Sequence, residues 1–389
     1  MPRNITGPLV RHGDLFGRAR ELATAWRLLE HGSVLLAAPR RYGKSSLMSA
    51  LADAPRDGWT VVLVDVEYVE SPAELVTELT AAVLQHQRTG QWFRSAKKAT
   101  GSLGAWVRAV VDEVGVGLPM LGEARLKLRD AIDTDHWKEL AEQLLATLAQ
   151  VDGRVLLILD EFPTLLSTLL ERDRAAAIGF LRWFRAQRQR STARFLVGGS
   201  VNIEPVLEDL GEIALINDLE RLRLDPFPRD VAIRFVTEVL AHERVAHAPG
   251  VPEAIVDAVG TGVPFFLQVL ISELALEPER LRVEDVERAY RDRVLGPVNK
   301  ARFSHYATRL RGYGPDEHAA RLALAAVSSG PLATAELLAR LGGVHEHPAR
   351  VLVRLEGDYY LVRDGERWDF HSRLLRDWWL RNAPLPDVP

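Results

Sequence analysis

Residues 33–47, SVLLAAPRRYGKSSL, constrain this chain more than any other stretch, because they read as a buried strand, a phosphate-binding loop and a helix start in succession. In the pattern GxxxxGK[ST], backbone N–H groups cradle the phosphates of a nucleoside triphosphate. The lysine reaches the β/γ oxygens and the hydroxyl ligates Mg²⁺. Gly43, Lys44 and Ser45 supply the second half of that pattern, and Ser46 shares the first helical turn. Ala38 stands where the first glycine is expected, and Pro39, Arg40, Arg41 and Tyr42 form the loop between. A basic surface turn at a helix start would share these residues, but the apolar VLLAA before the loop and the helical spacing of LMSALA after it support the phosphate reading.

A phosphate loop demands a partner carboxylate that holds Mg²⁺ through its waters. Residues 154–161, RVLLILDE, provide one: an apolar run suited to a strand buried on both faces, with Asp160 and Glu161 at its carboxyl end, the edge where open α/β sheets bind ligands. Asp160 is assigned to the metal, and Glu161 to polarising the attacking water. Residues 59–66 and 194–200 read as two further strands, and a helix is expected over 71–84. Ser200, with Asn202 as the alternative, is the polar side chain expected to touch the γ-phosphate or the water; a plain tight turn at GGS fits the same residues. The fold class expected is α/β, a P-loop NTPase parallel sheet.

Length and composition fit this frame. A chain of 389 residues exceeds what one core supports, and 47% hydrophobic with 26% charged residues is globular. A net charge of −4 argues against a generally basic, nucleic-acid-coating surface. The absence of cysteine excludes disulfides, thiol nucleophiles and thiolate metal sites. With neither an apolar leader nor a membrane-length apolar run in the sequence, a cytoplasmic protein without membrane partners is expected.

The runs FGRARELATAWRLLEHGSVLLAAPRRYGKSSL, LLILDEFPTLL, RFLVGGSVNIEPVL and GTGVPFFLQVL together resemble the prokaryotic P-loop ATPases of the AAA+/STAND, or archaeal-type, group, over about residues 14–381. The resemblance implies ATP or ADP as ligand. It carries an adenine-pocket role onto Gly17, Arg18 and Glu21, and a lid segment onto Gly262 and Pro264. It also places a histidine that touches the β-phosphate of ADP at His371. The residues by themselves equally fit a plain turn at Phe16 to Arg18 and a helix-start histidine beside Trp378. Ala38 departs from the family pattern, and the third strand carries no sensor arginine. Enzymes of this type use a basic group from a neighbouring subunit or domain; Arg221 and Arg223 are the candidates by position, and either equally suits an ion pair with Glu220 or Asp225.

The expected domains are a nucleotide-binding domain over 1–225 with an insertion over 85–150, a helical lid and connector over 226–310, and a winged helix over 311–389 whose hairpin turns at Asp364 and Gly365. A helix over 172–190 is expected to bury Ile178, Leu181, Trp183 and Phe184 and to expose Arg182, Arg185, Arg188 and Arg190. The third helix of the winged module is expected to display Arg350 and Arg354; Val351, Leu352, Val353, Leu355, Glu356 and Asp358 beside them favour a purely structural or protein-contact role over DNA. The function expected is an ATP-binding and ATP-hydrolysing regulatory switch that works through a protein partner or a homo-oligomer. Two alternatives stand beside it: a DNA-associated ATPase gripping duplex DNA through the winged helix, and a scaffold that binds nucleotide without turnover.

Overall fold

The computed structural model describes residues 2–4, 15–86, 136–199, 203–277 and 279–382. They fall into two compact units, one drawn from Arg18–Arg40 and Lys44–Leu224, the other from Met1–Gly17, Arg41–Gly43 and Asp225–Pro389. Among the described residues, no helix is long and apolar enough to cross a membrane.

The first unit runs α1 (Ala19–His31), β1 (Val34–Ala37), α2 (Lys44–Asp53), β2 (Trp59–Asp65), α3 (Pro72–Gln85), α4 (Trp137–Leu148), β3 (Arg154–Asp160), α5 (Phe162–Arg172), α6 (Arg174–Arg190), β4 (Arg194–Gly199), α7 (Glu204–Asp209) and β5 (Glu220–Arg223). The five strands are parallel, in the order β2-β3-β4-β1-β5. This is the α/β sheet of the P-loop NTPase fold expected from the sequence. β3 is buried from Val155 to Asp160, which explains its unbroken apolar run: a parallel strand between two strands and two helical layers has no wet face. Ser71 caps α3 by accepting the Glu74 N–H at 3.2 Å. The inserted span expected over 85–150 lies mostly outside the described residues; its end, α4, sets Trp137 edge-on to Trp183 at 4.7 Å.

α6 corrects the sequence reading. Its buried stripe is Ala177, Phe180, Leu181, Phe184, Gln187 and Arg188, while Ile178 and Trp183 are only half-buried. Arg188 follows Leu181 by seven residues and Phe184 by four, so it shares their face rather than the solvent's. At 4% exposure it is paid for locally: its guanidinium grips both carboxylate oxygens of Asp218 at 2.9 and 2.8 Å, donates to the Leu215 carbonyl at 2.7 Å, and lies over the Phe184 ring. Arg182 and Arg190 are exposed, as expected.

The second unit contains α8 (Arg229–His242), α9 (Val251–Val259), α10 (Pro264–Leu274), α11 (Val283–Ala289), α12 (Lys300–Arg309), α13 (Glu317–Ser328), β6 (Leu332–Ala333), α14 (Thr334–Gly342), α15 (Pro348–Gly357), β7 (Leu361–Asp364), β8 (Arg367–Phe370) and α16 (Arg373–Asn382). β6, β8 and β7 form an antiparallel sheet in that order, and Gly365 turns the β7–β8 hairpin at φ 56°. At Gly262 there is no room for a side chain: a Cβ would strike the Phe227 carbonyl, whose own N–H donates to Gly262 O at 2.9 Å.

Replacing Arg188 with Ala leaves Asp218 with only the longer contact to Arg185, at 3.8 Å, and opens a gap beside Phe184. A loss of about 3 kcal/mol in unfolding free energy is expected. Chemical denaturation followed by near-UV circular dichroism checks this.

Candidate functional site

The carboxyl edge of the parallel sheet places the sequence motifs side by side. β1 and β4 are neighbours, yet β1 hands the chain toward β2 on one side and β4 hands it toward β5 on the other. Ligands in open α/β sheets occupy the crevice at such a reversal. Leu36 pairs with Gly198, and Gly198 pairs with Asp160. The end of β1 and the end of β3 are therefore two strand spacings apart, roughly 10 Å, with β4 between them. Gly198 and Gly199 make that passage narrow. A side chain at Gly198 would collide with Met48 of α2, and one at Gly199 would come within 2.5 Å of Pro163 Cδ and 3.1 Å of Glu161 Cα. The two glycines therefore serve close approach within a strand rather than a tight turn.

The loop leaving β1 has a distinctive backbone. Ala38 has no positive φ, so the glycine expected there is not required by conformation; the left-handed positions are Arg41 (φ 74°) and Gly43 (φ 92°). Lys44 opens α2 buried at 5% exposure, and its Nζ donates to the carbonyls of Ala38 at 2.6 Å and Pro39 at 2.7 Å. Those carbonyls hold the ammonium under the loop, at the positive end of the α2 dipole. Ser46 is buried beside it, and Arg40, half-exposed, pairs with Glu67 beyond β2 at 3.8 Å. In the unit to which they belong, Arg41 lies over the Phe265 ring at 4.4 Å and Tyr42 is buried with its ring 5.3 Å from Tyr359.

The Ser45 hydroxyl lies close enough to the Asp160 carboxylate to favour its ionised form. Asp160 is 8% exposed, and its Oδ1 also accepts the Glu161 N–H at 3.0 Å. Burial raises the Asp160 pKa, with the Glu161 charge adding to it; Ser45, the Glu161 hydrogen bond and Lys44 only partly oppose the rise. Glu161 adopts a left-handed backbone (φ 59°) at the entry to α5. For a residue with a Cβ this costs of order 1–3 kcal/mol and is a conformation found at functional sites. Its carboxylate accepts the Thr164 hydroxyl at 3.1 Å.

Among the described residues, no group of three or more histidines or carboxylates stands ready to hold a metal. Ser45 and Asp160 supply two hard oxygen donors at one point. That suits an ion such as Mg²⁺, which binds one or two protein oxygens and completes its octahedron with phosphate and water.

Ser200 and Asn202 lie outside the described residues. Arg18 is buried and bound to Glu21 Oε1 at 2.6 Å. Arg221 pairs with neither Glu220 nor Asp225: its guanidinium donates to Glu204 Oε1 at 2.8 Å and to the carbonyls of Ile216 and Leu219, acceptors of its own unit. Arg223 closes β5 opposite Ala37, at the ligand edge. Pro264 opens α10. His371 sits edge-on to Tyr359 at 5.3 Å; burial lowers its pKa, and Asp225 opposes that shift. Arg354 is not displayed as expected. It is 10% exposed, bonds Asp316 Oδ2 at 3.1 Å and the Gly312 and Tyr313 carbonyls, and covers the Tyr313 ring at 4.0 Å. Arg350 is half-exposed and meets the same carboxylate at 3.3 Å. Sequence reasoning also passed over Thr164, whose only signal is its place three residues after Glu161 on a helix start.

No family model and no curated protein matches the chain. Solved structures do. The Walker-type ATPase paby2304 of Pyrococcus abyssi superposes with a TM-score of 0.68 at 19% identity, covering 97% of this chain and 99% of that one. The Aeropyrum pernix ORC2 protein, in its ADPNP–ADP complexes, superposes with a TM-score of 0.54 at 13% identity, covering 97% and 96%. At these identities the likeness is one of fold.

The Asp160 pKa is raised by folding, so its protonated form is the one the fold favours. That contribution is complete below the unfolded value, about pH 4, and is lost as pH rises through the folded value. At neutral pH the ionised carboxylate therefore costs stability. Asp160→Asn is expected to melt at a higher temperature than wild type at pH 7, with the gain shrinking as the pH approaches 4. A thermal-melt series against pH reads both.

Proposed function

We propose that this chain is an ATP-binding and ATP-hydrolysing switch, in which nucleotide state selects between conformations that a partner protein or a second copy reads. The observation that carries the proposal is the meeting of the two motifs: Ser45 close beside Asp160, with Lys44 on the loop carbonyls and Glu161 one residue on. The phosphate loop supports a nucleoside triphosphate. Adenine, and the switch behaviour, are supported by the resemblance to AAA+/STAND ATPases and by the names of the fold neighbours, a Walker-type ATPase and a protein in ADPNP–ADP complexes.

In this reading the backbone N–H groups of residues 39–45 hold the phosphates, and Lys44 exchanges its two loop carbonyls for β/γ oxygens. Ser45 and Asp160 would hold Mg²⁺, and the metal, when bound, would supply neutralisation of phosphate charge. Glu161 polarises the attacking water, and Ser200 contacts the γ-phosphate. Arg221 and Arg223 are the arginines proposed to meet growing charge; Arg221 is bonded to Glu204, and Arg223 ends β5 opposite Ala37. The scaffold reading rested on Ala38, and its ordinary φ takes that support away. The duplex-DNA reading loses Arg354 to Asp316.

Lys44→Ala is expected to weaken ATP binding by at least tenfold. Glu161→Gln should bind ATP like wild type and release phosphate about 100-fold more slowly or worse. Equilibrium binding of a fluorescent ATP analogue, alongside a phosphate-release assay, separates the two. Unchanged turnover in Glu161→Gln would overturn the hydrolytic assignment.

A further inference from the structure

α5 carries three hydroxyl side chains, and two of them behave as hydroxyls in helices ordinarily do: Ser167 bonds back to the Pro163 carbonyl at 3.0 Å and Thr168 to the Thr164 carbonyl at 3.1 Å. Thr164 does not. Its Oγ donates instead to Oε2 of Glu161 at 3.1 Å, while its N–H donates to the Glu161 carbonyl at 3.0 Å. A carboxylate can only accept, so the hydroxyl proton is committed to that bond.

The same glutamate is constrained at every other point of its backbone. Its N–H is tied to Asp160 Oδ1, its φ is 59°, and Gly199 leaves space for its Cα that a Cβ would remove. A strained, fully determined backbone fixes where the side chain starts but leaves its rotatable bonds to be settled. The Thr164 bond acts on them, by returning one carboxylate oxygen to the first turn of the helix.

We propose that Thr164 is a positioning residue for hydrolysis: it holds the Glu161 carboxylate in the rotamer from which it polarises water, without touching nucleotide itself. The inference rests on the catalytic role proposed above for Glu161. Positioning of this kind acts on the chemical step and leaves ground-state nucleotide binding alone.

The test compares Thr164→Val, which keeps shape and loses the hydroxyl, with Thr164→Ser, which keeps the hydroxyl and loses a methyl. Wild type and Glu161→Gln are run in parallel. Thr164→Val is expected to lower kcat for phosphate release by about tenfold or more, with KM and ATP-analogue affinity within twofold of wild type, and Thr164→Ser to restore kcat. Thr164→Ala repeats the loss if the valine disturbs the fold. Full turnover in Thr164→Val, or equal loss in the serine and valine variants, overturns the positioning role. If Glu161→Gln is slow and Thr164→Val is not, this inference alone fails. If wild type and Glu161→Gln release phosphate equally, or neither does, the parent reading fails with it.

Discussion

The closeness of Ser45 to Asp160 is the feature on which the rest of the site depends. Two groups more than a hundred residues apart in sequence reach it only because β3, β4 and β1 lie in successive register and because β4 ends in two glycines that keep the passage between them narrow. Strand order sets the separation, and the absence of side chains at Gly198 and Gly199 lets α2 and the Asp-Glu turn close in from either side. The sheet is thus the device that converts a local loop motif and a distant carboxylate into one oxygen-donor site.

That site is costly to maintain. Asp160 is buried with its carboxylate disfavoured, Lys44 is buried with its ammonium on the carbonyls of Ala38 and Pro39, and Glu161 holds a left-handed backbone. That left-handed residue costs of order 1–3 kcal/mol, and it directly follows β3, which is buried on both faces. A buried cation near a buried carboxylate suits the anion and the divalent cation proposed for this site. Stability given up at such a point is a usual correlate of function.

Much of this was legible beforehand. The strands at 34–37 and 154–160 are short apolar runs bounded by turns, the loop between strand and helix has a fixed pattern, and the hairpin turns where Asp364 and Gly365 predict it. What escaped was long-range pairing. Arg188 reads as a solvated charge until Asp218 is seen to meet it on the core side of α6, Arg354 reads as displayed until Asp316 is seen beneath it, and the Arg221 partner is Glu204 rather than either carboxylate near it in sequence. A buried charge is set by a partner that local periodicity cannot reveal. Thr164 escaped for the opposite reason: its partner is close, but a threonine three residues after an acid is commonplace unless the acid's backbone is known to be strained.

The central claim is that Ser45 and Asp160 share one divalent ion with a bound triphosphate. Electron paramagnetic resonance of the protein with Mn²⁺ in place of Mg²⁺, and ADPNP labelled with ¹⁷O on its γ-phosphate, tests it most directly. The account predicts a bound Mn²⁺ whose lines broaden with the labelled nucleotide, in wild type and not in Ser45→Ala. Mn²⁺ that stays free in solution, or a bound ion that is unaffected by the labelled phosphate, would contradict it.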